Sequence, residues 1–374
     1  MKNIENEDIE TEDNQDVAIK VPFNPNNIKV SIRPYTLGQI LEDLEDEVIN
    51  FNTDFQRLAN LWSVKKKSRF IESLLLNLPI PSFYFAEDMD KKWEIVDGLQ
   101  RISSLKGYVK DKSFLLTDLE FLGEYAGKSF AELPRDLQRR IKTFQITIYV
   151  IEKGTPSVVK YNIFSRINQG GLVLKPQEIR HALHQGIAAD LVKEMVSPEN
   201  SCGKAFLKAT MEKIKTDRME DRDFATRFAA FYLIGYEKYE PDLDTFMNKG
   251  MTEMAKSEPS VRTKLRKDFE KAMKAAYAIF EEDAFRKRLK TDDNKKPINK
   301  ALFEVLSVNF AKRTDAELAL LISRKAGFKK KLMALHNRPD GKFLRSITNG
   351  TAQKEMVEQR FTDIKTIIDQ TLAP

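Results

Sequence analysis

Three short segments of this chain carry more polar chemistry than packing requires. They are Asp54-Phe55-Gln56-Arg57 followed by Trp62, Asp97-Gly98-Leu99-Gln100-Arg101, and Asn168-Gln169-Gly170-Gly171 followed by Glu178 and Arg180. The middle segment has the clearest physics. Glycine where a strand hands over to a helix permits positive φ and close approach of a ligand to the main chain. The amides of residues 98–101 then sit at a helix N-terminus, where unpaired N–H groups and the helix dipole favour an anion. Arg101 can add a bidentate, charge-assisted contact to phosphate. Asp97 can hold a metal ion, orient a water, or simply cap the helix. Asp-Gly ahead of a helix is also a common turn, so the segment alone leaves the choice open. Glu178 and Arg180 are two residues apart and do not face each other on a helix, so they also read as an exposed pair.

The elements that must position these residues follow from spacing. Residues 21–36 read as extended, broken by Pro22, Pro25 and Pro34, and Thr36 caps a helix carrying Ile40, Leu41, Leu44 and Val48. Ser63 caps a second helix with an apolar stripe of Phe70, Ile71, Leu74, Leu75 and Leu78. The opposite side of that helix is basic, and Lys65, Lys66, Lys67 and Arg69 are the candidate nucleic-acid surface. Pro79 and Pro81 end it, and Ser82–Ala86 and Trp93–Val96 read as a hairpin. Asp97-Gly98 closes the second strand and a helix runs over Gln100–Val109. Residues 143–151, rich in β-branched and aromatic types, form a strand. Thr155-Pro156 starts a helix to about Ile167, and Pro176 opens another through His184. Beyond about residue 187 strand signals vanish, and helices are expected near 222–238, 260–283, 297–311, 314–325 and 353–370. In the second of these, Val261, Leu265, Phe269, Met273, Ala276 and Phe280 hold core spacing.

Composition narrows the class. Residues 1–20 hold seven acids and two lysines, which predicts a disordered acidic tail. The rest has 60 basic and 49 acidic residues, a net +11 that suits a polyanionic partner or a merely lysine-rich surface. A single cysteine, Cys202, excludes an internal disulfide and fits a reducing, cytoplasmic setting. No apolar run is long enough to span a bilayer, so no membrane role is expected. Three histidines (His181, His184 and His336) leave little material for a zinc site, and no metal site is assigned. His336-Asn337-Arg338-Pro339-Asp340-Gly341 superficially suggests a nuclease motif, but it has no companion histidine downstream and reads as a polar loop. His181 and His184, three apart, share a face and read as solvated or packed.

Taken in order, the segments resemble the DUF262 family, the N-terminal domain of GmrSD-type restriction enzymes, which is related to the ParB/sulfiredoxin fold. The resemblance rests on Asp54–Trp62, Leu78-Pro79-Ile80-Pro81, Ile95–Ile102, Ile163–Leu172, Lys175–Arg180 and the later stretch Arg218–Arg227. It implies an α+β plan: a ParB/sulfiredoxin-like domain over 21–190, able to bind a nucleoside triphosphate, followed by an all-helical domain over 191–374.

Related proteins tie an Asp-Gly-Gln-Gln-Arg box to binding and hydrolysis of nucleoside triphosphates in systems that restrict phage DNA. Carried over, the box points to Asp97, Gln100 and Arg101 for chemistry and to Gly98, Gln56, Arg57, Asn168 and Arg180 for binding. The nucleotide is GTP or ATP, with Mg²⁺ as an accompanying ion. Here Leu99 replaces the first glutamine; if it packs on the core little is lost, and if it touches the nucleotide hydrolysis comes into doubt. The resemblance further implies DNA and a nuclease partner. The competing expectation is a non-catalytic DNA-binding or adaptor protein that keeps the fold, and a third is a stand-alone nuclease.

Overall fold

Capping and turn chemistry set the boundaries of the N-terminal elements. The computed structural model describes residues 8–10, 29–51, 62–87, 91–155, 157–167 and 175–373, with backbone alone at 157, 158, 165–167 and 217. These residues divide into two compact units, one within 29–167 and the other made of 8–10 and 175–373.

The first unit is built on a five-stranded mixed sheet in the order β1-β5-β3-β4-β2. Its strands are β1 (Val30–Thr36), β2 (Ile49–Asn50), β3 (Phe83–Glu87), β4 (Trp93–Asp97) and β5 (Gln145–Ile151). β3 and β4 form the expected antiparallel hairpin, β5 runs parallel to β3, and β1 pairs antiparallel along β5. Thr36 caps α1 (Leu37–Glu45) in a reciprocal capping box with Gln39. Val48 falls beyond the end of α1, outside the helix assigned to it from spacing. Ser63 caps α2 (Val64–Leu75), whose Phe70, Ile71, Leu74 and Leu75 are buried; Leu78 lies past its end and is exposed. The remaining helices here are α3 (Leu99–Val109), α4 (Arg135–Thr143) and α5 (Ser157–Ile167). One sheet face carries Phe83, Phe85, Ile95, Ile146 and Ile148 into a core shared with α1 and α2, and α5 packs on β4.

The second unit is helical: α6 (Pro176–Leu183), α7 (Ile187–Val196), α8 (Ser201–Thr210), α9 (Glu220–Ile234), α10 (Leu243–Lys256), α11 (Pro259–Phe280), α12 (Lys300–Ala311), α13 (Asp315–Ser323), α14 (Lys325–His336), α15 (Lys342–Ser346) and α16 (Lys354–Leu372). Its core centres on aromatic rings, with Phe224 edge-on to Phe303 at 4.8 Å and Phe228 edge-on to Phe269 at 4.8 Å. On α11 the expected core positions are buried except Val261, which is 40 % exposed. The division falls at residue 174/175 rather than near 190, because α6 commits its polar side chains to α9 and α10. Asp8–Glu10, expected as tail, pairs with this unit: Ile9 bridges Ile298 in parallel, and Glu10 meets Lys287 at 2.5 Å. Among the described residues no helix is long and apolar enough to cross a membrane.

Candidate functional site

The strand-to-helix turn expected at Asp97–Arg101 is present, and its parts have different duties. β4 ends at Asp97, Gly98 adopts φ +104°, and α3 begins at Leu99. A Cβ at Gly98 would lie 2.4 Å from Cδ1 of Phe83. The glycine is thus demanded by the left-handed turn and by the core ring beneath it. No side chain caps α3, which settles one open choice: Asp97 is not its cap. The N-cap glycine itself offers no side-chain acceptor to the first turn of α3.

Arg101 is only 8 % exposed. Its Nη2 donates to Asp97 Oδ2 at 2.6 Å and to the Ser82 carbonyl at 3.2 Å, and its Nη1 donates to the Pro81 carbonyl. The guanidinium stands 4.4 Å above the Phe83 ring. Burial pulls its pKa below the ordinary value, while Asp97 acts the other way. In this arrangement Arg101 ties the end of β4 to the entry of β3 instead of presenting an open fork. Asp97 is 32 % exposed, and among the described residues its Oδ1 has no hydrogen-bond partner.

Around this carboxylate β3 and β5 supply an aromatic wall that none of the polar segments marks. Tyr84 pairs across the ladder with Asp97 and stacks on Tyr149 at 4.7 Å with an interplanar angle of 12°. Burial first, then Tyr149 and Asp97, raise the Tyr84 pKa. The alternation Phe83-Tyr84-Phe85 puts Tyr84 on the face away from the core, which was the available signal.

Gln100 accepts a hydrogen bond from the Trp62 backbone N–H at 3.2 Å through Oε1. This brings the end of the Asp54–Trp62 segment to the Asp97 turn. Leu99 is half-buried and packs on the sheet unit's core. Gln56, Arg57 and Asn168 lie outside the described residues.

Arg180 belongs to the helical unit, with its side chain 1 % exposed. Its nitrogens donate to Gln177 (2.9 Å), Asp244 (2.5 Å) and Asp223 (2.9 Å). Burial opposes the charge on Asp223, but Lys300 and Arg180 hold its pKa well below the usual carboxylate range. Glu178 is fully buried and takes Arg218 in a two-point contact at 2.7 Å. These residues are a buried network, not the exposed helical pair.

The basic side of α2 is partly neutralised by its neighbours. Lys65 faces Asp118 at 3.8 Å, Arg69 pairs with Glu120 and donates to the Asp118 carbonyl, and Lys66 lies 4.8 Å over the Trp62 ring. Lys67 lies 5.9 Å over Phe114. Glu72, on the same helix, is 3 % exposed and accepts the backbone N–H groups of Glu120, Phe121 and Leu122. Those bonds oppose the burial that would raise its pKa, and the net result is a lowered value. Nothing local in the sequence marks that contact, since the partners are 48–50 residues apart.

His336 is the last residue of α14, 2 % exposed and edge-on to Phe343. Burial pushes its pKa down to about 4, so it is a core residue and not part of a polar loop. His181 is also buried, and His184 Nε2 meets Asn248 Oδ1 at 3.1 Å. Among the described residues no three His, Cys, Asp or Glu side chains group as metal ligands.

Residues 37–185 match the family model described as the GmrSD restriction endonuclease, N-terminal domain. The match contains the whole Asp97 turn and extends through the first helix of the helical unit, α6. No curated protein and no solved structure matches the chain.

Proposed function

We propose that residues 37–185 bind a nucleoside triphosphate at the Asp97–Arg101 turn, in a protein that serves restriction or phage defence. The family match supplies the context. The observation that carries the binding reading is the Asp97 carboxylate, held by Arg101 at one oxygen and open at the other, beside an uncapped helix start. Ligands of open sheets collect where strands end and helices begin, which is where this carboxylate stands. Arg101 holds the carboxylate in place through its Oδ2. Gln100 ties in the segment that carries Gln56 and Arg57. Asn168 joins the same pocket in this reading, while Arg180 is left out of it because its donors are already committed.

Mg²⁺ suits such a site only together with the phosphates, since it is commonly held by one or two protein carboxylates plus phosphate oxygens. Asp97 Oδ1 would be the protein's ligand. We further read the sheet unit as ParB/sulfiredoxin-like, and the protein as acting on or near DNA with a nuclease partner that supplies cleavage.

Turnover is tested by phosphate release with each of the four nucleoside triphosphates, comparing the native chain with Asp97→Asn. Hydrolysis by the native chain, lost in the variant, supports the reading; equal background in both overturns hydrolysis. Arg101→Ala is the poorer probe, because it also frees the Pro81 and Ser82 carbonyls.

One observation favours a second reading. Both terminal nitrogens of Arg101 are spent inside the fold, as in an adaptor that keeps the box for architecture. Tight DNA binding with a steep salt dependence but no nucleotide binding would select it.

A further inference from the structure

The helical unit contains an open cleft of about 490 Å³ where α9, α11 and the α12–α13 junction meet. Lys264, Lys271, Lys312 and Arg313 line it, with Tyr232 and a single carboxylate, Asp268. Arg313 turns its guanidinium to Glu317 at 3.3 Å and Asp369 at 2.5 Å, so it adds no net charge to the cleft.

Asp268 is the least exposed charged group there, at 10 %. Its Oδ2 accepts from Lys264 Nζ and from the Tyr232 hydroxyl, each at 2.6 Å, and its Oδ1 pairs with Lys271 Nζ at 3.1 Å. Lys271 also donates to the Arg313 carbonyl at 2.8 Å. Lys312 is exposed and, among the described residues, has no acidic partner. Two ammonium groups thus meet one carboxylate and a third, on Lys312, lines the same cleft without an acidic partner, leaving two positive charges in excess.

An ordinary i,i+4 pair on α11 would need only Lys264 and Asp268. Here cations from two separate segments meet at a concave surface, and one carboxylate with a phenol fixes two of them. A phosphate monoester carries about −1.5 to −2 charges and three acceptor oxygens, which matches the excess and the ammonium donors still unspent. We propose that this cleft is a phosphate-binding site, separate from the Asp97 turn, that takes the phosphate of a nucleic acid or of a free nucleotide. The net +11 of the chain beyond residue 20 favours approach of either.

The test uses the full chain with two probes: a 5′-phosphorylated DNA duplex of about 20 base pairs and ATP, each titrated at several salt concentrations. In the double variant Lys264→Gln with Lys312→Gln, binding of the occupying probe weakens about tenfold. If that probe is DNA, the salt slope also falls by about two, roughly 0.9 per lost phosphate contact. Loss for the duplex assigns the site to nucleic acid, and loss for ATP alone assigns it to free nucleotide; either supports a phosphate site. Should the double variant fold poorly, Lys312→Glu alone, which breaks no internal side-chain bond, is expected to weaken binding of the same probe and, for DNA, to lower the salt slope by about one. Unchanged binding of both probes by both variants, or no binding of either probe by the native chain, overturns the proposal.

Discussion

The Asp97 turn and the charged interior of the helical unit are built from the same side chains and put them to opposite use. In the interior, Glu304 is fully buried, takes Arg227 at 3.0 Å and also holds Arg360, which donates onward to the Ser346 and Thr351 carbonyls. Arg180, Asp223 and Lys300 form a second such set. At the turn, among the described residues, one oxygen of the Asp97 carboxylate is left over after the internal bonds are made. A charge that is buried and fully paired holds a structure in register. A charge that is positioned but only half used is free to meet a ligand.

The difference can be broken most forcefully from the interior. Glu304→Ala strands two buried guanidinium groups and is expected to cost about 3–5 kcal/mol of stability, read as a fall in the urea midpoint. A loss below about 1 kcal/mol would mean that the network is dispensable.

His336 gives the next largest effect. Its folded pKa, about 4, lies below the 6.5 of an ordinary histidine, so the fold disfavours its protonation. The stability tied to this residue is present above pH 6.5 and is lost as pH falls toward 4, by about 3 kcal/mol in all. Urea titrations at neutral pH and near pH 4 should show a smaller acid loss for His336→Phe than for the native chain. Equal losses would place the acid sensitivity elsewhere.

Gly98→Ala combines a left-handed backbone with a clash against Phe83, and roughly 2–4 kcal/mol of destabilisation is expected by thermal melting. A neutral result would show that Phe83 can move aside. Asp97→Asn sits at the small end for stability, under about 1 kcal/mol, because the side chain is partly solvated.

Much of this contrast was written in local sequence. Thr36 and Ser63 as caps, the β3–β4 hairpin and the Asp-Gly junction all follow from neighbours within four residues, and each is where spacing puts it. The buried charges were not legible. Glu178 meets Arg218 and Arg227 meets Glu304 across 40 and 77 residues, so periodicity carries no trace of the pairing. The helices over 187–196, 201–210 and 243–256 also went unassigned. Arg101 shows the same limit at the turn: its type suggested a phosphate fork, while its carbonyl partners at Pro81 and Ser82 become visible only once the hairpin is folded.

The account rests on Asp97 being a ligand-facing group in an otherwise intact turn. Isothermal titration of the full chain with ATP and GTP in Mg²⁺, native beside Asp97→Asn, tests this most directly. Binding by the native chain is expected, with at least about a tenfold loss in the variant, about 1.4 kcal/mol, and a nearly unchanged melting temperature. Equal affinity in the two proteins, or no binding by the native chain, would contradict it.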